Sequence, residues 1–164
     1  MPRPLKNDHS SWTVRAVYKR VQPDNKAIHQ MDCYANEKHW LQALQPTGIV
    51  PRLLCMDDLR QTLVTEYVGE PVTRETLPHD WATQRNRLLL ALRRANCRHN
   101  DIKPSEILVQ DGILRLVDFG WASPLNKPIP DHYPECLGSK WRCPTGLDDW
   151  YSFNRSIHSV LFGS

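Results

Sequence analysis

The sequence lacks several features that would identify common protein classes. No glycine occurs before Gly48, although the chain contains seven. Residues 1–47 therefore contain no glycine-rich phosphate-binding loop of the usual form. No stretch approaches the roughly 18 consecutive apolar residues of a membrane-spanning helix, and the first twenty residues lack the apolar segment of a signal peptide. We therefore expect a cytoplasmic protein without a transmembrane segment.

Paired cysteine motifs are also absent. The five cysteines include no C-x-x-C pair, which argues against the common zinc-binding and redox motifs. An odd number of cysteines favours free thiols in a reducing compartment. A zinc site built from His132, Cys136 and Cys143 is an alternative, although its spacing matches no standard zinc finger.

Length and charge set further limits. With 164 residues, the chain is long enough for one domain of ordinary size. A formal net charge of +3 is too small to indicate a nucleic-acid partner. It is compatible with phosphate-bearing ligands or an anionic membrane surface. We therefore predict a single domain that binds no nucleic acid.

The most informative stretch is residues 98–123, where two short apolar runs flank an Asp-Gly turn at residues 111–112. This pattern predicts a β-hairpin. Asp101 and Glu106 precede the hairpin, and Asp118 follows it. Because a hairpin returns its two ends to one rim, these acids can share a divalent cation.

This stretch resembles the catalytic core of the protein-kinase-like superfamily. In that family H-R-D-L-x-x-x-x-N supplies a catalytic base and a metal ligand, and D-F-G supplies a metal carboxylate. Here residues 99–106 are H-N-D-I-K-P-S-E, and residues 118–120 are D-F-G. The resemblance implies that Asp101 is the catalytic base and that Asp118 binds Mg²⁺.

Two nearby residues complete this expectation. The family has Asn where this chain has Glu106, and a carboxylate is also a hard oxygen ligand for Mg²⁺. We therefore predict Glu106 as a second metal ligand; the alternative is that its charge repels nucleotide phosphates. Lys103, two residues after Asp101, resembles the lysine that steadies the transferring phosphate in Ser/Thr protein kinases.

Upstream, the alternation of residues 12–21 predicts a strand carrying Lys19, and residues 32–44 predict a helix. One face of this helix is apolar except for Glu37. A buried acid needs a cationic partner, and Lys19 is the candidate, with Lys26 as a weaker substitute. In the resembled family such a Lys–Glu pair contacts the nucleotide phosphates.

Residues 49–55 and 62–68 predict two further strands, which complete a small sheet packed on the helix. The second strand leads into a segment that resembles the family's hinge, where backbone groups bind adenine. Glu66 and Val68 are the predicted nucleotide-binding residues of this hinge.

The remaining chain is predicted to be mainly helical. Asp80 is the expected N-cap of a helix over residues 81–95. A proline-rich irregular segment follows the D-F-G motif, and a last helix runs from Leu147 to Phe162. Asp149, near its start, resembles the family's aspartate that bonds the backbone of the catalytic loop. Favourable interaction with the helix dipole explains the same residue equally well.

Together these elements predict an α+β fold. Its form would be a reduced two-lobe protein-kinase-like fold, with a small antiparallel sheet and one helix followed by a mainly helical lobe carrying the hairpin. We expect a single truncated kinase-like domain over residues 1–164. Its small lobe would cover about residues 12–68, its hinge residues 69–74 and its large lobe residues 75–164.

The functional expectation is an ATP- and Mg²⁺-dependent kinase that phosphorylates a hydroxyl group. The motifs resemble bacterial lipopolysaccharide-core (Kdo/heptose) kinases, which implies a sugar of a membrane glycolipid as acceptor and a peripheral location at the inner membrane. A Ser/Thr protein kinase is one alternative. A pseudokinase that acts as a binding or regulatory module is another, and a protein partner or a second copy of the chain could complete the site.

Overall fold

The computed structural model describes residues 15–21, 32–128 and 140–163. These ranges contain three α-helices and eight short β-strands. In chain order the elements are β1 (Ala16–Arg20), α1 (Cys33–Leu44), β2 (Leu53–Asp57), β3 (Thr62–Glu66), β4 (Glu70–Pro71), α2 (Trp81–Arg94), β5 (Cys97–Arg98), β6 (Ile107–Gln110), β7 (Ile113–Leu116), β8 (Ser123–Pro124) and α3 (Asp149–Phe162). The predicted α+β class is therefore confirmed.

The first three strands form an antiparallel sheet in the order β1-β3-β2. Lys19 on β1 lies opposite Leu63 on β3. Strand β2 begins later than the predicted start at residue 49, because Pro51 lacks the N–H that a ladder requires and Gly48 turns the chain with a φ of +70°. The apolar residues at 49 and 50 are nevertheless buried, in a bend.

Helix α1 packs against this sheet through the predicted face. The side chain of Asp32 accepts a hydrogen bond from the backbone N–H of Ala35 at 3.1 Å and so caps the helix. The buried residues of α1 are Cys33, Tyr34, Glu37, Trp40, Leu41 and Leu44. Glu37 is thus the one acid on a buried, otherwise apolar or aromatic face, as its spacing predicted.

The predicted hairpin is confirmed as β6 and β7. Asp111 and Gly112 have φ values of +51° and +75°, and positive φ at both central residues is typical of the turns that suit twisted hairpins. Helix α2 fixes this turn through Gln84, whose amide donates to the carbonyl of Gly112 at 2.7 Å and accepts from the N–H of Leu114 at 2.8 Å. A further strand, β4, pairs with β6.

One apolar core joins these elements. Leu88 and Leu92 of α2 and Phe153 of α3 are buried in it with Phe119, which follows the hairpin. No helix within the described ranges is long and apolar enough to cross a bilayer. Residues 12–14 of the first predicted strand, Lys26 and the candidate zinc ligands His132 and Cys136 lie outside the described residues.

Candidate functional site

A cavity of about 270 Å³ lies between the β1-β3-β2 sheet, helix α1 and the hairpin. Its apolar walls include Val17, Leu63, Leu108 and Val117. Six of the eight sequence-predicted site residues line it: Lys19, Glu37, Glu66, Val68, Glu106 and Asp118. The fold therefore brings the predicted nucleotide-binding and metal-binding residues to one place.

Lys19 joins helix α1 to the segment after the hairpin. Its ammonium group lies 2.8 Å from Glu37 Oε2 and 2.8 Å from Asp118 Oδ1. Burial alone would lower the pKa of Lys19, but the two carboxylates raise it above its ordinary value. The side chain stays 38% exposed, so the same ammonium group can reach a ligand in the cavity.

Glu106 and Asp118 both line the cavity, but their surroundings shift their pKa values in opposite directions. Burial, and then the charge of Asp118, raise the pKa of Glu106. For Asp118 the ion pair with Lys19 outweighs burial and lowers the pKa. Ser105 donates a hydrogen bond to Glu106 Oε1 at 2.9 Å. Two carboxylates that repel each other at one cavity wall form a favourable environment for a cation.

These two residues fit a magnesium ion that is completed by phosphate. Within the described ranges no group of three or more His, Cys, Asp or Glu side chains could hold a metal on its own. Mg²⁺ typically takes only one or two protein carboxylates and fills its other positions with water and substrate phosphates. The donor set therefore suits a metal that arrives with a nucleotide.

Asp101 and Lys103 lie beside the cavity lining. Lys103 Nζ is 3.0 Å from Asp101 Oδ2 and 3.4 Å from Glu106 Oε1. Asp101 is 3% exposed, and its Oδ1 has no hydrogen-bond partner among the described residues. The charged cluster, as we call it below, consists of Lys19, Glu37, Asp101, Lys103, Glu106 and Asp118.

The loop that carries Asp101 is held from behind by Asp149. The Asp149 carboxylate accepts hydrogen bonds from the backbone N–H groups of His99 at 2.7 Å and Asn100 at 2.9 Å. The expected bond from this aspartate to the loop backbone is thus confirmed. Burial raises the pKa of Asp149, and the neighbouring His99 and the two N–H groups oppose this.

His99 connects the same loop to Val117, the residue before Asp118. Its ring is fully buried, with Nε2 placed 2.9 Å from the carbonyl of Val117. The N–H of Asp101 donates to Nδ1 at 3.3 Å, so both ring nitrogens contact backbone groups. The imidazole therefore links the loop of Asp101 to the segment that precedes Asp118.

The two residues predicted to form a nucleotide-binding hinge, Glu66 and Val68, differ in their contacts. The Glu66 carboxylate accepts from the backbone N–H and from Nε of Arg52, each at 3.0 Å, so Arg52 engages both of its oxygens. Within the described residues the backbone N–H of Val68 has no hydrogen-bond partner. Next to it, Gly69 packs so closely on the carbonyl of Val109 that a side chain would overlap it.

Asn36 was not among the predicted site residues. Its side-chain amide donates to the carbonyls of Phe119 at 3.3 Å, Gly120 at 2.9 Å and Ala122 at 2.7 Å. No periodic or motif signal marks it, and only its position beside Glu37 on the predicted helix could have directed attention to it.

Comparison with known proteins adds no family. No family model matches the chain, and no curated protein matches its sequence significantly.

Proposed function

We propose that this protein is a phosphotransferase that uses ATP and Mg²⁺ to phosphorylate a hydroxyl group. The observation that carries the proposal is the cavity in which Lys19 contacts both Glu37 and Asp118 while Glu106 lines the same wall. Such a site offers a cation for phosphate oxygens and two hard ligands for a metal. The apolar walls above it suit a flat base.

The geometry supports a distinct proposed task for each charged residue. Asp118 and Glu106 would hold Mg²⁺, which supplies positive charge to the transferring phosphoryl group when bound. Lys19, oriented by Glu37, would contact the α- and β-phosphates. Most of the rate acceleration would come from positioning and electrostatic stabilisation.

Transfer itself would involve Asp101 and Lys103. Asp101 Oδ2 is engaged by Lys103, and Oδ1 is left to accept the proton of the acceptor hydroxyl. The acceptor oxygen forms a bond to the γ-phosphorus as the bond to the β-γ bridging oxygen breaks, and ADP leaves. Lys103 would offset negative charge on the transferring group.

Two acceptor classes follow from different features. Residues 118–122 (D-F-G-W-A) and 148–152 (D-D-W-Y-S) resemble motifs of lipopolysaccharide-core kinases and support a sugar acceptor, which would place the protein in the cytoplasm and at the inner membrane. The bond between Lys103 and Asp101 instead supports a Ser/Thr side chain.

A pseudokinase is the second candidate function. Glu106 in place of asparagine and the absence of glycine before Gly48 favour it. In that case the cavity would serve regulation or partner binding. A site completed by a second copy of the chain would be revealed by a specific activity that rises with protein concentration.

The test is transfer of labelled γ-phosphate from Mg²⁺·ATP to a panel of sugar and peptide acceptors. Asp118→Asn should reduce transfer to background, and Asp101→Asn should lower kcat by about 10²–10⁴-fold. Glu75→Gln removes a carboxylate that does not line the cavity and should leave the rate unchanged. Transfer that persists in folded Asp118→Asn would refute the assignment.

A further inference from the structure

One side chain of helix α1, that of Asn36, hydrogen-bonds to the backbone of the loop of residues 118–122. The amide group of Asn36 has two hydrogens and meets three backbone carbonyls of this loop, at 2.7, 2.9 and 3.3 Å. The carbonyl of Phe119 also accepts from the backbone N–H of Ala122 at 3.1 Å. For the carbonyls of Gly120 and Ala122, the side-chain donor takes the place of a ladder partner. Asn36 thus supplies hydrogen-bond donors to the loop backbone, as the N–H groups of a neighbouring strand do in a sheet.

Two neighbouring contacts follow the same path between helix and loop. Glu37, the next residue on α1, reaches Asp118 through Lys19. Gly120 packs on the first turn of the helix, where a side-chain carbon at position 120 would lie 3.5 Å from Cβ of Cys33. Helix and loop are therefore joined by a small set of contacts, of which Asn36 makes the hydrogen bonds to the backbone.

The loop needs such support because Asp118 has a left-handed backbone conformation. Its φ is +65°, a region that costs a non-glycine residue about 1–2 kcal/mol. Residues held in such conformations persist only where the surroundings determine them. The carbonyls that Asn36 binds belong to residues 119, 120 and 122, shortly after Asp118. These hydrogen bonds therefore oppose relaxation of the Asp118 backbone.

We propose that Asn36 is a positioning residue that fixes the loop carrying Asp118 to helix α1. Through it the Lys19–Glu37 ion pair and the Asp118 carboxylate keep one arrangement before any ligand arrives. Movement of α1 would then displace the loop as well, so the two sides of the cavity would respond together. The loop anchoring stands by itself, whereas its effect on nucleotide binding rests on the function proposed above.

The first readout is amide hydrogen exchange followed by mass spectrometry. Asn36→Leu keeps a similar volume and removes both donors, so exchange in a peptide covering residues 117–123 should rise about tenfold. A peptide covering the hairpin should be unchanged. Asn36→Asp, which places a carboxylate against three carbonyls, should give a larger effect. Asn36→Ser serves if neither variant folds, and a smaller rise in the same peptide is expected.

The matched control is Asn86→Asp on helix α2. Asn86 is exposed, and its side-chain oxygen accepts from Arg85, a role that a carboxylate can also fill. This variant introduces the same charge and should leave exchange in the loop unchanged. Urea unfolding of all variants separates local opening of the loop from a general loss of stability.

The second readout is the Kd of Mg²⁺·ATP by calorimetry, which should be about tenfold weaker in Asn36→Leu than in the wild type or Asn86→Asp. Unchanged exchange in the loop, or an increase that is uniform along the chain, would overturn the proposal. A loop-specific increase in a protein that binds no nucleotide would support the anchor and refute the proposed function. Tight nucleotide binding with an unaltered loop in Asn36→Leu would refute the anchor and support the proposed function.

Discussion

At the scale of single residues, the charged cluster contains four carboxylates and only two ammonium groups. Burying unbalanced charge is costly, and the raised pKa of Glu106, caused by burial and then by Asp118, reflects that cost. A bound divalent cation would balance the cluster. Substitution of Glu106 can therefore distinguish metal binding from repulsion of phosphate.

Replacing Glu106 should affect ATP binding in opposite directions with and without Mg²⁺. In Glu106→Gln the repulsion of phosphate is lost, so metal-free ATP should bind more tightly. One metal ligand is also lost, so the gain in affinity that Mg²⁺ provides should fall about tenfold. Calorimetric titration with and without Mg²⁺ measures both quantities. An equal change under the two conditions would show that Glu106 does not contact the metal.

The pH dependence of stability should reveal the Glu66–Arg52 ion pair. Burial alone would raise the pKa of Glu66, but the hydrogen bonds from Arg52 lower it below its ordinary value of 4.5. The folded protein therefore binds this proton more weakly than the unfolded chain, and the stabilisation is present above that value and lost as the pH falls.

Glu66→Gln should therefore lower the free energy of unfolding at pH 7 by up to about 1 kcal/mol, because the pair is partly exposed. The difference from the wild type should shrink as the pH falls through 4.5 and below it. Urea unfolding at several pH values measures this. A difference that persists unchanged at low pH would contradict the assigned pKa direction.

At the scale of elements, short loops position the site, and each loop is fixed by a residue from elsewhere in the chain. Asp149 at the start of α3 holds the loop of Asp101. Asn36 on α1 holds the loop of Asp118. The segment predicted as a hinge is held by close packing instead, since Gly69 has a φ of +109° and lies against the backbone of β6.

Two glycine substitutions should separate backbone strain from close packing. Gly112→Ala has open space for its side chain and should cost only about 1–2 kcal/mol for its positive φ. Gly69→Ala adds overlap with the carbonyl of Val109 and should cost more than about 3 kcal/mol. Equal midpoint shifts in urea for the two variants would refute the close approach at Gly69.

The elements that could be predicted are those with a local signal. The Asp-Gly turn identified the hairpin, and one acid on an apolar helix face identified Glu37 and its need for Lys19. Asn36 and Gln84 could not be found in this way, because the backbone groups that they bind lie at least 83 and 28 residues along the chain, respectively. The late start of β2 did have a local signal in Pro51, which lacks the N–H that a ladder requires, but the apolar residues before it resemble a strand.

At the scale of the whole molecule, an α+β fold gathers predicted residues that lie up to 99 positions apart, as Lys19 and Asp118 do. Charge, motifs and geometry all support the proposed site for phosphate and metal. The proposed acceptor hydroxyl would be recognised by surfaces around Asp101, which carry no motif, so the choice between a sugar and a Ser/Thr acceptor needs an experiment. The acceptor panel described above addresses that choice.

The most direct test of the nucleotide–metal site is thermal unfolding with ATP and Mg²⁺, added separately and together. A ligand that binds only the folded state raises the midpoint by mass action. We predict that the combination raises the midpoint more than the two separate effects added, and that Asp118→Asn abolishes this excess. An unchanged midpoint at millimolar ATP with Mg²⁺ would contradict the account and favour a pseudokinase.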